Sequence, residues 1–195
     1  MVKVVTLEEI KGITVIGGQI TSRIEDKSEN GNDTIKVLIP KAINRGSVDH
    51  KNLGSLLIKS EPDERKVTKK GDIVLKLSTP YDACIITDDD EGLLVPSFCA
   101  ILRVDDLNVD KEYLVAYLNS DHCSNQIKDM VSGATIAILS TGTLKRIQIL
   151  LPSLKQQKEI ATNYMKALEK EKLLNKIIEL EYERLNSEIY ELMED

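Results

Sequence analysis

Two short acidic stretches hold the residues of this sequence that could bind a metal ion and catalyse a reaction. The first, Glu61-Pro-Asp-Glu-Arg-Lys66, contains the carboxylates and the lysine that a metal-dependent nuclease uses. In such a site the first aspartate and the later acidic pair stand on different strands, so that they converge on one ion. Here Asp63, Glu64 and Lys66 are neighbours in the chain, which favours a surface turn and leaves a nuclease as the disfavoured alternative.

The second acidic stretch, Thr87-Asp-Asp-Asp-Glu-Gly92, separates the apolar runs at residues 83–86 and 93–96. Carboxylate oxygens are the ligands that hard cations such as Ca²⁺ prefer, so a metal site is one interpretation. A polar run that ends in glycine is more typical of an exposed turn between two strands. We therefore predict a solvated hairpin tip here.

The other reactive residues show no pattern of a catalytic or cofactor-binding site. Cys84, Cys99 and Cys123 are odd in number and widely spaced, which favours free core thiols in a reducing cytosol over a disulfide or a metal site. Gly17-Gly18 lacks the further spacing of a nucleotide-binding loop, and no Gly-x-Ser-x-Gly or zinc pattern occurs. We predict that this chain carries no catalytic residue, no metal site and no cofactor of its own.

The composition indicates a globular protein that is not a general binder of polyanions. Of 195 residues, 42% are hydrophobic and 30% charged, and the formal net charge is −6. Any contact with nucleic acid must therefore come from a local basic patch. The N-terminus has no signal-peptide pattern and no stretch approaches eighteen apolar residues, so we expect a soluble, cytoplasmic protein.

The C-terminal stretch 154–193 is the element around which the rest of the chain is organised. It contains no glycine or proline, follows Pro152 and a capping Ser153, and would form a helix roughly 60 Å long. Apolar residues recur along it at helical steps, and a protruding stripe of this kind needs a second helix to cover it. We predict a dimerisation arm (residues 152–195) after a body (residues 1–151), with an antiparallel partner contacting Leu174, Ile178, Tyr182, Leu185, Ile189 and Leu192.

The sequence pattern of the body predicts many short strands with a few inserted helices. The whole chain is therefore predicted to have an α+β fold followed by a long C-terminal coiled-coil helix. Short helices are predicted at residues 7–11, 111–118 and 121–131, with a turn through 140–145 and an exposed turn at 41–46. The predicted strands are residues 13–16, 35–39, 53–58, 73–77, 83–86, 93–96, 98–104, 134–139 and 147–151.

Several segments, in this order across nearly the whole chain, together resemble half of the specificity (S) subunit of type I restriction-modification enzymes. The opening segments resemble the start of a target-recognition domain and its strand entry around Gly-Asp-Ile; the later ones resemble a helix ending in Leu-x-Ser and the entry into a spacer helix. The segments are 5–12, Gly17-Gly18-Gln-Ile-Thr-Ser22, Val67-Thr-Lys-Lys-Gly-Asp-Ile-Val74, Tyr113-Leu-Val-Ala-Tyr-Leu-Asn-Ser120, Ser132-Gly-Ala-Thr-Ile-Ala-Ile-Leu-Ser140 and Ile149-Leu-Leu-Pro-Ser-Leu-Lys-Gln-Gln-Lys-Glu-Ile160.

The resemblance implies a non-catalytic subunit that reads double-stranded DNA and docks DNA adenine methyltransferase (M) subunits. Those partners would bring S-adenosylmethionine, and a restriction (R) subunit would bring ATP and Mg²⁺. A full S subunit resembles two such units in tandem, each with its own long helix, so one unit implies a homodimer that reads inverted half-sites. An S-like antagonist that competes for M subunits, and a coiled-coil assembly adaptor that binds no DNA, remain alternatives.

The recognition domains vary within this family, so candidate DNA contacts follow from chemistry alone. Base edges and phosphates are contacted by Arg, Lys, Asn, Gln, Ser, Thr and Tyr side chains on polar loops. Three loops of this body carry such residues. The candidates are Thr21, Ser22 and Arg23 on the first loop, Lys41, Asn44 and Arg45 on the second, and Lys76, Ser78, Thr79 and Tyr81 on the third.

Overall fold

A computed structural model describes residues 2–26, 33–132 and 138–194 of the chain. These residues form ten strands, four α-helices and several single turns of 3-10 helix. The strands are β1 (Lys3–Thr6), β2 (Ile13–Gly17), β3 (Asp33–Val37), β4 (Ile43–Asn44), β5 (Ser47–Val48), β6 (Gly54–Ile58), β7 (Ile73–Lys76), β8 (Ala83–Ile85), β9 (Cys99–Val104) and β10 (Gln148–Leu151). The helices are α1 (Lys111–Leu118), α2 (Asp121–Val131), α3 (Thr141–Lys145) and α4 (Leu154–Glu194). The α+β prediction is confirmed.

A four-stranded antiparallel sheet, in the order β2-β9-β7-β8, forms the centre of the body. Successive side chains of a strand point to opposite faces of a sheet, so the buried runs of β7 and β9 divide between two cores. Ile73, Leu75 and Leu102 pack on one face with α1, α2 and α3. Val74 and Ile101 pack on the other face against residues 38–43 and 93–95.

The strands β1 and β10 form a separate two-stranded sheet that closes the chain onto itself before α4. The free edge of β10 is covered by α1, whose Tyr113 and Tyr117 hydroxyls donate hydrogen bonds to the carbonyls of Leu150 and Gln148. The beginning of α4 is therefore fixed on the body by a sheet and a helix.

The predicted helices are present because each carries its own start signal. Asp110 Oδ1 accepts a hydrogen bond from the backbone N–H of Tyr113 at 2.9 Å, and Ser140 Oγ accepts one from Thr143 at 3.0 Å. These contacts satisfy backbone donors that a helix leaves free in its first turn. The helix predicted at residues 7–11 is shorter, a 3-10 turn at Leu7–Glu9.

Two predictions for the body are wrong. The runs 83–86 and 93–96 do not form a hairpin, because β8 pairs with β7 while Leu94 bridges to Val37 and Val67. The segment 41–46 is not an exposed turn, because Ala42 and Ile43 are fully buried. Residues 134–137 of the strand predicted at 134–139 lie outside the described residues.

Candidate nucleic-acid interface and helical arm

The acidic stretch 61–66 is a surface turn, as predicted from its spacing. Asp63 caps a 3-10 turn at Glu64–Lys66 and accepts hydrogen bonds from the Arg65 backbone N–H and from its guanidinium, at 2.8 to 3.0 Å. These bonds to Arg65 lower the pKa of the Asp63 carboxyl to about 2. Both oxygens of Asp63 are thus engaged within the turn.

The acidic stretch 88–91 departs from the prediction at Asp90, which is buried rather than solvated. Its Oδ2 accepts a hydrogen bond from the Thr87 backbone N–H at 3.0 Å, and its carbonyl accepts one from the Thr68 hydroxyl at 2.6 Å. His50 Nε2 lies 2.8 Å from Asp90 Oδ1. Asp90 therefore ties three loops together.

The cysteines are free and buried, as predicted. Burial raises the pKa of the Cys99 and Cys123 thiols to about 12, so both are uncharged at neutral pH. Across residues 2–26, 33–132 and 138–194, no group of three or more His, Cys, Asp or Glu side chains is arranged to hold a metal ion.

The first candidate loop lies on the surface next to strand β6. Thr21–Arg23 form a 3-10 turn in which Ser22 and Arg23 are exposed. The backbone after this turn runs along β6, because Lys59 N–H donates to the carbonyl of Ile24 at 2.9 Å and Asp26 N–H donates to that of Leu57 at 2.8 Å. The turn is thereby placed beside the two-stranded ribbon that β3 and β6 form.

The second and third candidate loops meet at one carboxylate, that of Asp82. Lys76 Nζ lies 2.8 Å from Asp82 Oδ2, and Arg45 Nε lies 3.6 Å from Asp82 Oδ1. The side chain of Arg45 is still 62% exposed, whereas that of Lys76 is only 11% exposed. Arg45 is therefore accessible from solvent, while Lys76 is held inside the body.

The remaining candidates of these loops differ in exposure. Lys41, Asn44 and Thr79 are exposed and Ser78 is partly buried. Tyr81 is 6% exposed and packs in the core beneath the third loop. The expectation that all ten candidates lie on exposed loops is therefore wrong for Lys76 and Tyr81.

The first turns of α4 pack on the body through specific contacts. Gln157 is buried, and its side chain accepts a hydrogen bond from Asp110 N–H at 2.9 Å and donates to the carbonyls of Asn108 and Pro152 at 3.2 and 3.0 Å. Ala161 is buried in the core one turn later. Leu168 lies over Gly46, where an added Cβ would stand 2.3 Å from Leu168 Cδ1.

The distal part of α4 has no such contacts, and all of its described side chains from Glu171 to Met193 are exposed. The six residues of the predicted stripe are between 44% and 78% exposed. A second exposed apolar row, which the sequence analysis did not single out, lies on another face of the same helix: Leu173, Ile177 and Leu180. Its signal in the sequence was the doubling of apolar residues at 173–174 and 177–178.

The charges of α4 change sign along its length. Residues 154–176 contain six lysines and three glutamates, whereas residues 177–194 contain one arginine and six glutamates. The helix is thus basic where it leaves the body and acidic towards its far end. No helix in the described part of the chain is both long and apolar enough to cross a membrane.

Almost the whole of this chain matches the sequence model of one protein family. The sequence model of the family described as "Type I restriction modification DNA specificity domain" matches residues 3–182. No curated protein matches the sequence.

Solved structures of S subunits share the fold. The HsdS subunit from Thermoanaerobacter tengcongensis aligns with a TM-score of 0.65 and 17% identity over 90% of this chain and 44% of that one. A chain from a structure on complex assembly and conformational transition of the type I R-M system aligns with a TM-score of 0.66 and 18% identity over the same shares. The S subunit from M. genitalium aligns with a TM-score of 0.52 and 16% identity over 88% of this chain and 41% of that one. The present chain spans less than half the length of each.

Proposed function

Because this chain belongs to the type I restriction-modification DNA specificity family, we propose that it reads one half-site of double-stranded DNA as a homodimer held by α4. Subunits of this family are non-catalytic and work with M and R subunits on DNA. The body, residues 1–151, would recognise the DNA, and residues 152–195 would set the distance between two bodies.

The observation that carries the homodimer is the exposed stripe on the distal half of α4. Leu174, Ile178, Leu185 and Ile189 each expose 44% to 56% of their surface on a 41-residue helix about 60 Å long. Apolar surface of this extent on one face of a helix is stabilised by burial against another helix. A second α4 supplies the same stripe, so a two-fold axis lets each copy cover the other.

The charge distribution favours an antiparallel pair. In an antiparallel pair formed through the stripe, Lys176 of one helix lies beside the acidic end of the other, near Glu188 and Glu191. A parallel pair would place six glutamates beside six glutamates, and like charges at a helix interface are unfavourable. An antiparallel pair also points the two bodies in opposite directions along the arm, which suits inverted half-sites.

The second apolar row offers a place for the methyltransferase partners. Leu173, Ile177 and Leu180 would stay exposed beside a pair formed through the six-residue stripe, because they lie on another face of α4. We assign this row to docking of M subunits, which would bring S-adenosylmethionine; an R subunit would bring ATP and Mg²⁺. The complex would then methylate a bipartite, palindromic adenine-containing site.

The candidate DNA contacts retained in this proposal are the accessible ones. The turn at Thr21–Arg23 lies beside β6, and Arg45 lies at Asp82. The retained candidates are Thr21, Ser22, Arg23, Lys41, Asn44, Arg45, Ser78 and Thr79. Lys76 and Tyr81 are left out because both are buried.

The first experiment is light scattering on the purified chain. We expect twice the 21.8 kDa of one chain, and we expect Leu185→Glu with Ile189→Glu to give the mass of one chain, because two buried carboxylates per helix oppose pairing. Ser187→Glu is the control, since it adds one carboxylate on the opposite face of α4 and should leave the dimer intact; Leu185→Glu alone is the single substitution that adds the same charge. A wild-type monomer would contradict the homodimer.

A second measurement addresses the partners. Co-expression with a type I M subunit should give a complex that Leu173→Glu with Ile177→Glu abolishes while the mass of the isolated dimer is unchanged. Loss of the dimer as well would show that both rows serve one interface. No complex with any M subunit, together with no DNA binding, would favour an adaptor.

A further inference from the structure

We propose that the outward face of the β3–β6 ribbon contacts base edges in the DNA major groove through Thr34, Lys36 and Ser55, with Lys59 on the phosphate backbone. The inference rests on the proposed DNA-reading function and names the element that performs it. None of these four residues is among the loop candidates above.

The ribbon has one face committed to the body and one face free. Its strands pair antiparallel, with Thr34 opposite Leu57, Ile35 opposite Leu56 and Lys36 opposite Ser55. Ile35 and Leu56 pack inward on a cluster around Val37 and Leu94. Because side chains alternate along a strand, Thr34, Lys36 and Ser55 point to the other face, and all three are exposed.

The polar groups of this outward face are not engaged within the protein. Across the described residues, the side chains of Thr34, Lys36, Ser55 and Lys59 make no hydrogen bond or ion pair, whereas Arg65, Lys70, Lys76 and Arg103 are each bonded to an aspartate. A lysine already paired with an acid must lose that contact to bind a phosphate. The ribbon lysines have no such cost.

The charge of this segment differs from that of the rest of the body. Residues 33–59 contain five lysines or arginines and two aspartates, whereas residues 60–151 contain ten bases and fifteen acids. DNA presents a regular array of negative phosphates, so binding favours the basic segment and disfavours the acidic one. Lys36 and Lys59 belong to the ribbon and Lys41, Arg45 and Lys51 to the segment between its strands, so residues 33–59 form a basic part of a net acidic body.

The ribbon is also held rigidly, which base reading requires. The carbonyl of Lys36 accepts a hydrogen bond from Leu94 N–H at 2.9 Å, and Lys59 N–H donates to Ile24 at 2.9 Å. The second bond, with the bridge between Glu25 and Ile58, places the segment that follows the turn at Thr21–Arg23 along β6. One continuous surface thus joins the ribbon to the first candidate loop.

The dimensions and side chains of the ribbon suit the major groove. Two strands lie about 4.8 Å apart, and five residues extend about 17 Å, whereas the groove is about 12 Å wide and admits a two-stranded ribbon. Lysine donates to O6 and N7 of guanine, and the hydroxyls of serine and threonine bond to several base edges. Lys36 between Thr34 and Ser55 is therefore placed as a base reader rather than a phosphate contact.

The test is selection of a motif by the purified full-length chain from duplex DNA with thirty randomised base pairs, followed by affinity measurements on the enriched duplex and on a scrambled duplex. We expect Lys36→Gln to weaken binding to the enriched duplex by roughly five- to a hundred-fold and to leave the scrambled duplex nearly unchanged. Repeating the selection with this variant should relax the motif at one or two adjacent positions, symmetrically in both half-sites. Thr34→Val should relax a neighbouring position.

The matched control is Lys128→Gln, which removes an exposed lysine from α2 on the opposite face of the central sheet and should change neither affinity nor motif. If Lys36→Gln behaves like this control, or weakens both duplexes equally, the ribbon does not read bases and the inference is overturned while the DNA-reading function stands. If the wild-type chain enriches no motif, the proposed function itself fails and the inference fails with it. Circular dichroism of each variant separates loss of contact from loss of folding.

Discussion

The two halves of α4 have the same secondary structure and opposite relations to the rest of the molecule. The proximal half is held by the buried side chains of Gln157 and Ala161 and by Leu168 against Gly46. In the distal half, every described side chain from Glu171 onwards is exposed, including large apolar ones. One half of the helix is part of the body, and the apolar surface of the other half is uncovered.

This difference shows that amphipathicity alone does not reveal what a helix packs against. Both halves carry apolar residues at helical steps, yet Ala161 and Tyr164 of the proximal half pack on the chain's own core, whereas the distal apolar residues are all exposed. The same type of substitution should therefore affect folding in the proximal half and association in the distal half. Three predictions follow this contrast from the largest expected effect to the smallest.

Ala161→Glu should lower the free energy of unfolding by about 3 kcal/mol, because it places a carboxylate without a partner in the core. Leu185→Glu, in the distal half, should leave the unfolding of the body nearly unchanged and act on the solution mass. Urea denaturation followed by circular dichroism measures both. Equal stability of the two variants would mean that the proximal half is not packed on the body.

Gly46→Ala should cost about 1–2 kcal/mol from backbone strain at φ +81°, and more from the contact with Leu168. Gly92 offers a matched control, because it has φ +82° and nothing within 4 Å of an added Cβ. Gly92→Ala should show the effect of backbone strain alone. The difference between the two urea midpoints therefore measures the cost of the contact between the added methyl group and Leu168 of α4. Identical midpoints would mean that Leu168 moves aside freely.

Arg184→Ala should change the free energy of unfolding by less than about 0.5 kcal/mol. Its guanidinium bonds to Glu181 at 2.9 Å and to Glu188 at 3.2 Å, but all three side chains are more than half exposed. Exposed pairs of this kind contribute little because water and salt screen them. A thermal unfolding temperature lowered by several degrees would indicate that Arg184 is buried in an interface, which would point to the partner helix.

Much of the local structure could be predicted from the sequence, because its causes are local. The start of α1 follows from Asp110, and the start of α4 from Ser153, whose Oγ accepts a hydrogen bond from the Gln156 backbone N–H at 3.4 Å. The absence of glycine and proline from 154–193 predicts the length of α4. The buried cysteines were also predicted, from their number and spacing.

The choice of strand partners could not be predicted in the same way. The run at 93–96 follows 83–86 closely enough for a hairpin, yet Leu94 bridges to Val37 and Val67, which lie far away in the chain. Strand pairing depends on which apolar faces meet in the core, and a single sequence does not record that. The burial of the candidate Lys76 could not be predicted for the same reason, since it depends on the position of Asp82 in the folded chain.

The sequence by itself determined the division of this chain into an α+β body and a long helix, together with its membership of a DNA specificity family. Helix signals and apolar spacing act within a few residues, so they can be read directly. Only the tertiary structure decided which basic side chains are exposed and which half of α4 remains uncovered. Those properties arise when distant segments meet, as Lys76 does with Asp82 and Leu168 with Gly46.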